Sequence, residues 1–360
     1  MELLFKPVAD ALLNILVSRL RFIGDIVLST PVLEVLKERF PDASIDYLGD
    51  SEGTTLLRHN PNLNEIIPYD FSAWEVREQI RIGALLRKKR YDVAIDLFGN
   101  PRSAIVIYLS GAEMRIGGRF GWRRRLFTHP VAVSDRLDAV SFHLRYLEPL
   151  GIKGLYRKPK IYLDDDEINS SVKSLDKIGV NLARPIVGMH IGATWPAKVW
   201  PAERFARLAE LITREGDAQV FVTFGPKDFD CLKAFSSEVR TKFYSMSPQP
   251  LRSLAAAISR CELFVSNDAA PMHIAAAVGT PTIGIFGPGE PDIWFPYDRS
   301  RGNFAIHKEV ACCHGDYCEM KGSQYMQCMK SISPEEIYDR IKILLREGLE
   351  TGIDEAGKNA

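Results

Sequence analysis

The stretch "ELFVSNDAAPMHIAAAVGTPTIGIFGP", residues 262–288, decides the fold. Residues 262–268 are apolar through their centre and read as a strand. Residues 271–279, opened by Pro271 and closed by Gly279, read as a helix. Residues 281–288 read as a second strand. A strand without polar alternation needs cover on both faces, and a helical crossover between two such strands makes them parallel. The same rhythm extends outward. Strands are expected at 185–193 and 218–225, with helices at 201–216, 227–239 and 251–260. The N-terminal half repeats it with strands at 14–19, 44–49, 66–69 and 92–98. Helices are expected there at 31–40, 75–89 and 138–150. The expected class is therefore α/β, with two doubly wound, Rossmann-like domains.

Residues 150–167 are polar and irregular, and the boundary is expected within 151–184. The first domain is taken as 1–165 and the second as 166–332. A helix is read at 333–348 from its Ser333-Pro334 start, with a disordered polar tail at 349–360.

The 360 residues suit two domains of ordinary size. Lys+Arg and Asp+Glu both number 46, so the basic excess of a nucleic-acid binder is missing. No apolar run approaches the roughly 20 residues that span a bilayer. The N-terminal residues lack the charge asymmetry and small-residue site of a signal peptide, so a cytoplasmic protein is expected. Residues 2–13 suit a short amphipathic helix that rests on a membrane or on the protein itself, with the second expected.

In open α/β sheets ligands bind beyond the carboxyl ends of the strands. The strand at 185–193 leads into "HIGATWPAKVW" (190–200), which offers Thr194, Lys198 and a turn with free N–H groups. That set suits a phosphate, although a lone solvated lysine would read as surface. The next strand ends in "TFGPKD" (223–228), where Asp228 suits either ribose hydroxyls or a helix cap. The third ends in "SNDAAPMH", where Asn267 or Asp268 can cap the helix. Its small residues Ala269 and Ala270 open the backbone to an anion, and His273 stands one turn in. The fourth ends in the rigid "FGPGEP". The four ends are expected to converge on one anionic, nucleotide-like ligand. No HExxH, strand-end DxD, GxGxxG or P-loop occurs, which weakens metal, dehydrogenase and NTPase readings.

Near the N-terminus, "RFIGDIVLST" (21–30) places Gly24-Asp25 between a strand and a helix. The carboxylate there can cap the helix or do chemistry.

Together these residues resemble the ADP-heptose–lipopolysaccharide heptosyltransferase family, glycosyltransferase family nine. The resemblance runs from "RFIGDIVLSTPVLEVLKERFP" through "HIGATWPAKVWPAERFARLAELI" to "VSNDAAPMHIAAAVGTPTIGIFGP". Weaker matches are "HLRYLEPLGI" and "CMKSISPEEIYDRI". It implies a GT-B fold, two Rossmann-like domains facing across a cleft, and inverting sugar transfer without a metal or other cofactor. The donor implied is a nucleotide sugar, ADP-heptose, and the acceptor a lipopolysaccharide core. By position, Asp25 falls on the family's catalytic base, and Gly24 gives the acceptor room. Lys198 and Thr194 fall on diphosphate contacts, with Lys198 also stabilising the leaving group. Asp228, with Asp230 as the alternative, falls on the ribose acid. Asp268 falls near the donor sugar and His273 on a donor contact. Ala269 and Ala270 depart from the family's usual hydroxyl residue and glycine.

The segment "GGRFGWRRRLFTH" (117–129) carries Arg119, Arg123, Arg124 and Arg125. They are expected to meet a phosphorylated acceptor or the inner membrane surface, against the plainer reading of a solvated basic loop. Cys312, Cys313, Cys318 and Cys328 crowd together without a standard zinc spacing, so free thiols, a redox pair and a bound metal all stay open. Cys231 and Cys261 read as small core residues. Two other readings stand beside the transferase. One is a GT-B enzyme with another nucleotide sugar, or an epimerase. The other is a catalytically silent sugar-nucleotide-binding envelope protein.

Overall fold

The computed structural model describes residues 13–70, 76–133, 136–154, 156–215, 218–310 and 316–356. The stretch 2–12 and the residues Cys312 and Cys313 therefore lie outside the described residues. The chain divides into two compact units, Met1–Tyr162 and Leu163–Ala360.

The strands of the first unit are β1 (Asn14–Arg19), β2 (Ser44–Asp50), β3 (Glu65–Tyr69), β4 (Val93–Asp96), β5 (Met114–Gly118) and β6 (His129–Val131). Those of the second are β7 (Ile186–His190), β8 (Gln219–Thr223), β9 (Tyr244–Ser245), β10 (Leu263–Asn267), β11 (Thr282–Phe286) and β12 (Phe304–His307). Among the described residues each set forms one parallel sheet, β3-β2-β1-β4-β5-β6 and β12-β11-β10-β7-β8-β9. Read from its own first strand, the second order repeats the first. The direction of winding reverses between β1 and β4 in one sheet and between β7 and β10 in the other. Each reversal leaves a crevice at the strand ends where no crossover helix lies.

The central strands are buried on both faces. Ile15, Leu16 and Val17 of β1 and Val187 and Met189 of β7 are fully enclosed. That double burial is why these strands lack polar alternation. In the first unit Ile15, Val17, Ile45, Val93 and Ile95 pack with the helix Thr30–Arg39 on one face. Leu16, Leu48 and Ala94 pack with Ala104 and Ile107 on the other.

Three local expectations are corrected. Gly24-Asp25 does not lie between strand and helix but inside a helix. Residues Ile23–Leu28 wind into a short helix, because Ile26 and Val27 bury their side chains on one face. Asp164 to Asp166 do not lie in an irregular linker. Asp164 accepts the Glu167 N–H at 2.8 Å and the Glu167 carboxylate accepts the Asp164 N–H at 3.1 Å, a capping box opening the helix Asp165–Lys177. The final helix, Pro334–Ala356, runs past Gly348. A single glycine costs a helix about 1 kcal/mol and does not by itself end one.

Candidate functional site

In the first unit the chain leaves β1 at Arg19 and turns at Phe22, a non-glycine residue with φ of 66°. Such a conformation costs on the order of 1–3 kcal/mol and persists where the surroundings enforce it. The turn brings Asp25, in the first turn of the short helix, back onto Arg19. Arg19 Nη2 donates to Asp25 Oδ1, and both side chains are largely enclosed, 9% and 12% exposed. Asp25 therefore does not cap its helix; Phe22 holds the cap position without a side-chain bond.

The far side of Arg19 rests on β4. Its guanidinium lies 4.6 Å from the centre of the Phe98 ring. Phe98 follows Asp96, whose buried Oδ1 accepts the N–H groups of Phe98 and Gly99 at 3.0 and 3.2 Å. Asp96 Oδ2 accepts Ser103 Oγ at 2.8 Å. Burial pushes the Asp96 carboxyl up to about 6, with those donors and Arg19 opposing it. His143 is buried within electrostatic reach of Arg19 and Asp25, and burial, then Arg19, pushes its imidazole down to about 4. The cluster spans the β1/β4 reversal.

The second unit has its counterpart at the β7/β10 reversal. Asn267, at the end of β10, accepts the Trp200 N–H at 3.0 Å and donates to the Gly192 carbonyl at 3.1 Å. It thus fixes both ends of the loop after β7, and it does not cap a helix. Within that loop Lys198 is buried, with Nζ 2.8 Å from Asp268 Oδ2 and 2.7 Å from Asp316 Oδ1. Burial would lower the lysine, but the two carboxylates overrule it and hold its pKa above the ordinary value. Asp268 is enclosed at 7%, whereas Asp316 is 46% exposed. Asp268 likewise leaves the helix Ala270–Val278 uncapped, with Ala269 in the cap position. Pro271 lacks an N–H and the Met272 N–H is bonded to the Ala269 carbonyl at 3.0 Å, so the N–H groups of Ala269 and Ala270 are what this helix start offers an anion.

The other strand ends close on this pair. A methyl group on Gly289, after β11, would stand 2.6 Å from Asp268 Oδ2. One on Gly192 would overlap the Asp228 carboxylate, so the loops after β7 and β8 touch. Asp228 Oδ2 accepts the Gly225 N–H at 2.8 Å and lies 3.8 Å from His190 Nε2. Burial keeps His190 below its ordinary pKa, with Asp228 partly opposing. Asp228 holds the cap position of the helix Phe229–Glu238 without capping it, while Asp230 lies in that helix's first turn. His273 is buried, with Nδ1 2.7 Å from the Tyr297 hydroxyl. Thr194 is exposed and makes no hydrogen bond among the described residues.

The basic segment folds as a 3-10 turn, Gly121–Leu126. Arg119, Arg124 and Arg125 are exposed, and Arg123 lies 5.6 Å from the Phe120 ring centre. Gly118 has room for no side chain, because Phe120 folds back over it. Cys231, Cys261, Cys318 and Cys328 are free thiols.

Lys198 and Asp268 are joined directly, whereas Asp228 follows β8 and His273 lies in the helix after β10. Sequence reasoning missed Arg19, Asp96, Tyr297 and Asp316, and it read Asn267 only as a possible helix cap. Arg19 and Asp96 carried a usable signal, being charged residues at the inner ends of apolar strands. Asp316 carried none, since its partner lies far along the chain.

Comparisons with known proteins show the family and the fold. Residues 79–323 match the family model described as glycosyltransferase family 9 (heptosyltransferase). Lipopolysaccharide heptosyltransferase 2 of Salmonella typhimurium is 29% identical over 354 residues, covering 93% of this chain and 99% of that protein. A glycosyl transferase family 9 structure from Veillonella parvula superposes with a TM-score of 0.81 at 26% identity, covering 94% and 99% of the two chains. The Escherichia coli ADP-heptose lps heptosyltransferase II structure gives 0.77 at 25%, covering 93% and 99%. The fold class is that of these GT-B enzymes.

Proposed function

The chain belongs to glycosyltransferase family 9, and we propose that it moves a heptose from ADP-heptose to a lipopolysaccharide core. The observation that carries this reading is the paired layout. One enclosed carboxylate, Asp25, and one enclosed cation, Lys198, each occupy the strand-order reversal of a sheet of the same order. The relative from Escherichia coli is named for ADP-heptose, which supports the choice of donor.

A sugar hydroxyl becomes a competent nucleophile as a base takes its proton. Asp25 accepts that proton while the oxygen attacks the anomeric carbon, and Gly24 leaves the acceptor room at the backbone. The bond from that carbon to the diphosphate breaks, and ADP departs with the electron pair. Lys198 and the backbone N–H groups of Ala269 and Ala270 stabilise the growing negative charge, which is the part a metal plays elsewhere. One displacement inverts the anomeric centre. Asp268 orders Lys198, and Thr194 contacts the diphosphate. Asp228, or Asp230 beside it, receives the ribose. The backbone at Ala269 and Ala270, with His273, borders the donor. Arg119, Arg123, Arg124 and Arg125 hold the phosphorylated acceptor at the cytoplasmic face of the inner membrane. No helix among the described residues is long and apolar enough to cross a membrane.

The test is a donor panel with a truncated core acceptor, reading nucleoside diphosphate release. ADP release from ADP-heptose is expected. Release only from UDP-sugars or GDP-sugars would overturn the donor assignment, and conversion of the donor without an acceptor would mark an epimerase.

A further inference from the structure

Asp25 has one polar partner among the described residues, Arg19, and meets it through one oxygen, Oδ1. Its second oxygen is left for another donor. A carboxylate alone on a short helix would rotate about its side-chain bonds, and a base that rotates is misplaced for much of the time. What stops the rotation is Arg19, which is itself held on two sides. It stands at the end of β1, with Cα in register with Gly49 of β2. Its planar group rests on the Phe98 ring, 4.6 Å from the centre. Phe98 is fixed in turn by its N–H bond to the buried Asp96, and the neighbouring Leu97 N–H is bonded to the Ser18 carbonyl at 2.9 Å.

Stability does not explain this arrangement. Arg19 is 7% exposed, and its Nε has no hydrogen-bond partner among the described residues. A buried cation with an unsatisfied donor costs free energy, and a buried ion pair is on average no better than apolar residues of the same volume. The turn between the two partners also contains the strained Phe22. These costs converge on one result, a carboxylate with one oxygen tied and one presented.

We propose that Arg19 is the positioning residue for Asp25: it ties Oδ1 so that Oδ2 alone receives the acceptor proton, and Phe98 holds Arg19 in place. The inference rests on the reading of Asp25 as the base. A lysine at position 19 keeps the charge and one donor but loses the flat face that rests on Phe98.

The experiment measures kcat, acceptor KM and the ADP dissociation constant for the full chain and for Asp25→Asn, Arg19→Met, Arg19→Lys and Phe98→Leu. Arg19→Met should lower kcat by about 100-fold, with both binding constants within about twofold of the parent. Arg19→Lys should recover about tenfold of that loss, and Phe98→Leu should lose several-fold with the charge intact. Melting curves accompany each variant. If Arg19→Met does not fold, the Arg19→Lys and Phe98→Leu pair carries the test through kcat at unchanged KM. A dead Asp25→Asn beside an unimpaired Arg19→Met would overturn this inference alone. An Arg19→Met loss confined to KM, or a lysine variant no better than methionine, would overturn it equally. Near-normal turnover in Asp25→Asn would overturn the base assignment and this inference with it.

Discussion

Arg19–Asp25 and Lys198–Asp268 are both enclosed ion pairs at the reversal point of a parallel sheet, and they are wired in opposite senses. On the proposed reading the acid of the first pair works and the base holds it, with one carboxylate oxygen left over. On the same reading the base of the second works and acids hold it, and Lys198 has two carboxylates at 2.8 and 2.7 Å. A presented oxygen suits a group that must receive a proton. A lysine engaged by two acids suits a group that must exchange one anionic partner for another. Asp316 is the exchangeable one, since it is exposed where Asp268 is enclosed.

The strongest check is removal of the working acid. Asp25→Asn should lower kcat by about 1,000-fold while calorimetry finds ADP affinity unchanged. Equal loss of ADP binding would erase the division of labour between the pairs. Lys198→Ala should lower kcat/KM for the donor by about 100-fold or more and weaken ADP binding, with acceptor KM unmoved. A mirror-image result, acceptor loss without donor loss, would swap the two roles. Reversing the charge of Arg123, Arg124 and Arg125 should raise acceptor KM roughly tenfold, because charge-assisted bonds to phosphate are lost. Donor constants that moved with it would place the segment elsewhere in the reaction. Asp316→Asn should tighten ADP by about three- to fivefold, since one carboxylate no longer competes for Lys198. Weaker ADP binding would show that Asp316 belongs with the ligand rather than in its place.

The first pair also has a pH signature. The folded state holds His143 near 4, below its ordinary 6.5, so its contribution to stability is present above 6.5 and is lost as pH falls through 4. Between pH 7 and pH 5 the parent should lose about 2 kcal/mol through this residue, read by urea unfolding. The variant His143→Asn should lose that much less. Parallel pH curves for parent and variant would mean the imidazole is free to charge.

Sequence patterning revealed what burial had written into it. β1, β2 and β4 in the first unit and β7, β8, β10 and β11 in the second are interior strands, and cover on both faces made most of each an apolar run. β3, an edge strand, was read from its short apolar run Ile66-Ile67. β6, β9 and β12 went unread because they are short and lie at a sheet edge, and β5 because Arg115 and two glycines break its run. The helix Pro101–Leu109 had a legible start in Asn100-Pro101, and Asp165–Lys177 had one in its capping box; both were overlooked among turn-forming residues. At the site, the residue types at strand ends were legible. Their wiring was not, because Asp25 to Arg19 and Lys198 to Asp316 depend on how turns such as Phe22 aim the chain. The caps expected at Asn267 and Asp268 failed for the same reason: side chains able to cap were engaged across the sheet instead.

The repeated strand order has a consequence for how such a chain can change. Every bonded partner described for Arg19 and Asp25 lies within residues 13–162, and every one for Lys198 and Asp268 lies within 163–346. Each charge cluster is complete inside its own half. Replacement of one half by that of a relative leaves the other half's wiring intact. Selection can thus revise the preferences of one sheet while the other stays fixed, and a grafted half should arrive with its chemistry already assembled.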